Sequence, residues 1–148
     1  LLNNMNLEMK LGLSDYLKSE SMVVDDILIK APQSDNLYVI GCGEISESPA
    51  EILMSHKLKI LFHELKKRFD YVIVDTSPIG HVADAFTLAE YADSSIYLVR
   101  YNYTNKADLA IFEEICENRR LINPMIVFND AKKENKNAYR YGGYAYPG

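Results

Sequence analysis

The run Tyr71-Val72-Ile73-Val74, closed by Asp75, constrains this chain more than any other stretch. Its apolar residues do not alternate with polar ones, so a strand built from them buries both faces. Parallel sheets held between helices bury strands in that way. The flanking sequence supplies matching parts. Leu37-Tyr38-Val39-Ile40, Ser95 to Val99 and Met125-Ile126-Val127-Phe128 read as further strands. Ser48-Pro49-Ala50-Glu51 reads as a helix start, with Ser48 capping, Pro49 in the first turn and Glu51 closing a capping box. Met54, Leu58, Leu61, Leu65 and Phe69 then form one apolar stripe of about five turns. Residues 83–91 and 106–121 read as further helices, and Gly12 stands just before a helical turn at Ser14-Asp15-Tyr16-Leu17. The expected fold class is α/β, a parallel sheet flanked by helices.

Length and charge narrow the function classes. At 148 residues and 48% hydrophobic, the chain suits one domain with a real core and excludes wholesale disorder. No stretch approaches the apolar length of a membrane-spanning helix, and the first ten residues show no leader of basic then apolar residues. A net charge of −5 and a pI near 5.2 argue against nucleic acid as partner. The charge is uneven: Lys132, Lys133, Lys136 and Arg140 against Glu134 give residues 132–148 a net +3, leaving −8 on the rest. Cys42 and Cys116 have neither metal-site nor disulfide-framework spacing and read as free thiols. Of the 11 tyrosines, Tyr139, Tyr141, Tyr144 and Tyr146 fall in the last ten residues.

In a parallel sheet, ligands bind at the carboxyl ends of the strands. Asp75 sits there, followed by Thr76-Ser77-Pro78-Ile79-Gly80. An apolar strand ending in Asp is the Walker B pattern of P-loop nucleotide enzymes, where the carboxylate orients Mg²⁺ through its water shell. An Asp capping the turn after a buried strand gives the same pattern. A phosphate-binding loop, Gly-x-x-x-x-Gly-Lys-Ser/Thr, should accompany it. The seven glycines are at 12, 41, 43, 80, 142, 143 and 148, and none precedes a Lys. Gly41-Cys42-Gly43 does not extend to Gly-x-Gly-x-x-Gly, because position 46 is Ser. Either the Asp75 pattern is accidental or the loop lies before residue 1.

The order and spacing of several segments decide between these. Gly12-Leu13-Ser14-Asp15-Tyr16-Leu17, Leu37 to Gly43, Ser48 to Leu53, Phe69 to Pro78, Asp84-Ala85, Ala92-Asp93 and Leu98-Val99-Arg100 follow one another. Together they resemble the cytoplasmic tyrosine-kinase domain of bacterial capsular and exopolysaccharide biosynthesis proteins, the BY-kinases. The resemblance runs from about residue 7 to 130, and the tyrosine-rich end matches that family's tyrosine cluster. It implies a partial P-loop NTPase fold lacking its N-terminal strand and P-loop. Residues 1–130 would be the C-terminal part of the kinase domain, and residues 131–148 a flexible tail.

The family's properties follow as expectations. The function implied is an autophosphorylating tyrosine kinase that regulates polysaccharide synthesis and export. Asp75 would be the catalytic and metal-side carboxylate, and Asn129 would meet the adenine. Tyr139, Tyr141, Tyr144 and Tyr146 would be phosphorylated. Position 77 is usually Pro in the family and is Ser77 here. The family also has a Thr near Thr104. ATP and Mg²⁺ would serve the intact domain, whereas the fragment alone is expected not to bind ATP. Partners would be copies of itself in a ring, each tail in a neighbour's site, and a membrane polysaccharide co-polymerase segment. No nucleic acid is expected. The location implied is the cytoplasmic face of the bacterial inner membrane.

The tail has a mechanism of its own. Gly142, Gly143 and Ala145 separate its tyrosines, so an extended chain can present one hydroxyl at a time. Each phosphate adds roughly −1.5 to −2 charge, which would turn a basic tail acidic. A low-complexity sticky end is the bland alternative. Two rival functions remain: a ParA/MinD-like ATPase, which needs no tyrosine tail, and an inactive scaffold or phospho-acceptor, which needs no P-loop.

Overall fold

The computed structural model describes residues 11–44, 48–78 and 84–131. The chain divides into two units, Leu1–Ala92 and Asp93–Gly148.

The first unit is mainly helical. Helix α1 (Leu13–Lys18) begins at the expected glycine. A 3-10 turn (Val24–Asp26) leads to strand β1 (Ile29–Lys30), which pairs antiparallel with β2 (Tyr38–Val39). Helices α2 (Pro49–Leu53), α3 (His56–Arg68) and α4 (Asp84–Ala89) follow. Tyr16, Leu17, Val24, Ile27, Leu58, Leu61, Phe62 and Leu65 form its core. The Phe62 ring stacks on Tyr91 with centroids 4.8 Å apart, which extends that core toward the end of the unit.

Two readings change in this unit. The single long stripe from Met54 to Phe69 is broken into α2 and α3. Ser55 starts the second helix, its hydroxyl accepting from the Lys57 amide at 3.3 Å. Met54 at the break is 79% exposed, so the buried stripe is Leu58, Leu61 and Leu65. Pro49 occupies the first turn of α2 as expected, but the Ser48 side chain does not cap it. The second change is larger. Residues 71–74 form no strand, and Tyr71 and Ile73 are 88% and 93% exposed. Val72 packs against the core, but strand propensity also needs a neighbour to pair with, and among the described residues none pairs with this segment.

The second unit contains the parallel pairing. Strand β3 (Ser95–Arg100), helix α5 (Lys106–Glu117) and strand β4 (Pro124–Asn129) make one β-α-β crossover. The register runs from Ser95 beside Pro124 to Arg100 beside Asn129. Asn105 caps α5, accepting from the Asp108 amide at 2.9 Å, while the Asp108 carboxylate accepts from the Asn105 amide at 3.1 Å. Helix α5 covers one face of the ribbon, where Tyr97 stacks on Phe112 at 4.4 Å and Val99 and Ile115 are buried. The opposite face, with Ile96, Leu98, Met125 and Val127, stays exposed.

Candidate functional site

The expected site residues lie after strands. The residues after β2 form the tightest arrangement in the first unit. Amides of α1 reach across to them: Leu13 donates to Gly41 O at 2.8 Å and Ser14 to Cys42 O at 3.0 Å. The Ser14 hydroxyl bonds Cys42 O and Glu44 O, at 2.5 and 2.7 Å. Asp15 Oδ2 accepts from the Gly12 amide at 2.8 Å and the Glu44 amide at 3.3 Å. A side chain at Gly12 would sit 2.3 Å from Gly43 N, and Gly43 itself adopts a φ of +78°. Gly12, Ser14 and Asp15 thus act as a clasp on the loop after β2. Cys42 is exposed in that loop.

Asp75 lies in the same unit, at the end of the exposed 71–74 segment, and its side chain is exposed. Among the described residues, no group of three or more His, Cys, Asp or Glu side chains is arranged to hold a metal ion. A lone carboxylate fits Mg²⁺, which keeps most of its waters and takes one or two protein carboxylates beside substrate phosphates. It does not make a nucleotide site by itself. His56 and His63 are exposed on α3, two turns apart, and share no metal-binding geometry. Gly80 and His81 fall outside the described residues.

The strand ends of the second unit carry a denser polar cluster. Asn129 closes β4, and its side-chain oxygen accepts from the Asp130 amide at 2.8 Å. Its carbonyl accepts from the Tyr101 amide at 3.0 Å, which extends the ladder one step past β3. Arg100 at the end of β3 meets Asp130 Oδ2 at 3.2 Å and lies 5.6 Å from the Tyr103 ring centroid. Thr104 closes the turn after β3, its hydroxyl accepting from the Arg100 amide at 2.8 Å and its amide donating back to Arg100 O at 3.0 Å. Asn102 and Asp130 both adopt positive φ, at 56° and 58°. Asn and Asp tolerate that conformation best among residues with side chains.

Asn129 therefore stands where the sequence placed it. Its neighbours Arg100 and Asp130 hold the same edge. Asp75 and Asn129 belong to different units. Tyr139, Tyr141, Tyr144 and Tyr146 lie outside the described residues.

No protein-family model matches the chain. Individual relatives do. The tyrosine-protein kinase CpsD of Streptococcus pneumoniae is 33% identical over 114 residues, 77% of this chain and 49% of CpsD. The tyrosine-protein kinase YwqD of Bacillus subtilis is 32% identical over 140 residues, 93% of this chain and 57% of YwqD. The kinase domain of the Escherichia coli tyrosine kinase ETK shares the fold, with a TM-score of 0.80 at 24% identity, over 95% of this chain and 55% of that one. This chain belongs with the bacterial tyrosine kinases. It spans about half the length of these relatives.

That membership accounts for the architecture. The β3-α5-β4 crossover is the parallel α/β unit of a P-loop NTPase domain, here one part of it. The sequence signal for the clasp was present in Gly12-Leu13-Ser14-Asp15. Its partner loop, some 30 residues on, was not readable from spacing.

Proposed function

We propose that the chain is the carboxylate-bearing part of an autophosphorylating protein-tyrosine kinase that regulates capsule or exopolysaccharide biosynthesis. One observation carries this reading: tyrosine-kinase relatives match most of the chain in sequence, and the segment they share includes an apolar run ending in Asp75. No Gly-x-x-x-x-Gly-Lys-Ser/Thr occurs in the 148 residues, so the phosphate cradle comes from sequence outside them.

The co-substrates in this reading are ATP and Mg²⁺. Bound Mg²⁺ would neutralise phosphate charge as the γ-phosphoryl group passes to a tyrosine. Asp75, whose side chain is exposed, would hold Mg²⁺ through its water shell. The Asn129 carboxamide, whose oxygen accepts from the Asp130 amide, would offer its NH₂ to an adenine ring nitrogen. Tyr139, Tyr141, Tyr144 and Tyr146 are the acceptors. Each forms one oxygen–phosphorus bond as the bond to ADP breaks, and each gives up its phenolic proton. The tail of one copy enters the site of its neighbour in a ring. A co-polymerase segment holds the assembly at the cytoplasmic face of the inner membrane.

The test is direct. The chain alone, given labelled ATP with Mg²⁺, is expected not to retain nucleotide, while the longer protein is. Tight binding by the chain alone contradicts the division of labour. A second reading, an inactive phospho-acceptor, draws on the same missing loop. It predicts that a separate active kinase is needed to phosphorylate the tail.

A further inference from the structure

Three residues at the carboxyl ends of β3 and β4 are linked in series. The strand register sets Arg100 beside Asn129. Arg100 Nε donates to Asp130 Oδ2 at 3.2 Å, and the Asp130 amide donates to Asn129 Oδ1 at 2.8 Å. Arg100 thus reaches the Asn129 carboxamide through a single intermediate residue. Its own backbone is held by the turn after β3. The Arg100 amide donates to the Thr104 hydroxyl at 2.8 Å, and its carbonyl accepts from the Tyr103 and Thr104 amides at 3.2 and 3.0 Å. The guanidinium carbon stands 5.6 Å from the Tyr103 ring centroid. Asp130 has a φ of 58°, a conformation that residues with side chains adopt at a cost. An ionic hold on its side chain helps keep it there.

We propose that Arg100 is a positioning residue for base selection: by holding Asp130 it fixes which way the Asn129 carboxamide faces, and so favours adenine over guanine nucleotides. A carboxamide has nearly the same shape after a half-turn, which exchanges its oxygen and its NH₂. The Asp130 amide breaks that symmetry, because a donor can face the oxygen but not the NH₂. While Asp130 stays in place, the donor and the acceptor of Asn129 keep fixed positions. Adenine presents an acceptor nitrogen beside an amino donor, which such a carboxamide can pair with at both atoms. Guanine puts its carbonyl oxygen where adenine has the amino group, and two oxygens then meet. Both partners of the Arg100–Asp130 pair are more than half exposed, so the pair adds little to folding. Its consequence is orientation. The proposal rests on the reading of Asn129 as the adenine contact.

Two measurements test it. The first uses this chain without nucleotide. In Arg100→Gln, hydrogen exchange at the Asp130 amide is expected to quicken several-fold. The Tyr101 amide, which bonds the Asn129 carbonyl in the ladder, should keep its protection. The second uses the longer protein and reads dissociation constants of ATP and GTP by displacement of a fluorescent nucleotide. Asn129→Ala is expected to cut the preference for ATP by about tenfold. Arg100→Gln and Asp130→Asn should each cut it by about threefold, and the double variant no further than either alone. Asp130→Asn removes the charge but keeps a residue that tolerates positive φ. Arg100→Lys, which retains a cation opposite Asp130, should recover part of the preference. An unchanged preference in both single variants overturns the proposal, as does an equal loss of ATP and GTP binding. So does an Arg100→Gln effect that persists in full when Asn129 is already Ala, since Arg100 then acts on the nucleotide itself. Failure of the underlying reading shows separately, as an Asn129→Ala variant with wild-type preference, and it removes the proposal with it.

Discussion

The Lys57 ammonium stands 3.9 Å from the centroid of the Tyr16 ring, buried between α3 and the chain that leaves α1. Its donors also meet the carbonyls of Ser19 and Met22, the latter at 3.2 Å. A charge is tolerated in that position because the ring face and two carbonyls replace water. Lys57 thus ties helix α3 to the segment that follows the glycine clasp.

Removing that tie should be costly. Lys57→Met keeps the aliphatic stem but leaves two carbonyls without their donor and the ring without its cation. The expected loss is about 2–4 kcal/mol of folding stability, measured as a shift in the urea midpoint at unchanged slope. A loss within about 0.5 kcal/mol would mean that water replaces the ammonium at little cost.

The glycine clasp makes a second prediction. A Cβ at Gly12 would lie 2.3 Å from Gly43 N and 2.6 Å from Gly41 O, both backbone atoms that cannot swing aside. Gly12→Ala should lower stability by about 1–3 kcal/mol and increase hydrogen exchange at the Leu13 and Ser14 amides, which bond the loop after β2. Normal protection at those amides in the variant would show that the two segments separate without harm.

Alkaline pH supplies a third. Burial raises the Tyr16 phenol above its ordinary value, with the Glu64 charge adding to it. Burial likewise raises Tyr97, aided by Asp108. A folded-state pKa above the unfolded one contributes stability that is whole below the unfolded value near 10. That contribution is lost as pH climbs through the folded value. The chain should therefore lose stability above about pH 10, and Tyr16→Phe should flatten that loss. Tyr97→Phe should flatten it too, while giving up the bond from its hydroxyl to Asp108 O at 3.2 Å. Denaturant midpoints across that range for wild type and both variants check the effect.

Parts of this molecule were legible in the sequence, and parts were not, for separable physical reasons. The β3-α5-β4 unit was readable because its apolar runs and its helix period are local signals. The start of α1 was readable for the same reason. The strand expected at residues 71–74 was not realised, because a strand exists only where another segment pairs with it. The break between α2 and α3 was missed because Ser55 lies inside an otherwise continuous apolar stripe. At the candidate site, Asp75 and Asn129 stood out as post-strand polar residues. Arg100, Thr104 and Asp130 follow strands too, but their association was not readable, since it depends on strand register and positive-φ turns rather than on any motif.

The central claim is that Asp75 belongs to a tyrosine kinase whose acceptors are the tail tyrosines. The most direct measurement is phosphosite mapping by mass spectrometry on the longer protein after incubation with ATP and Mg²⁺, beside its Asp75→Asn variant. Phosphate on Tyr139, Tyr141, Tyr144 or Tyr146 in the wild type, reduced at least about a hundredfold by the substitution, is the result expected. A tail that stays unmodified, or one modified equally in the variant, would contradict the account.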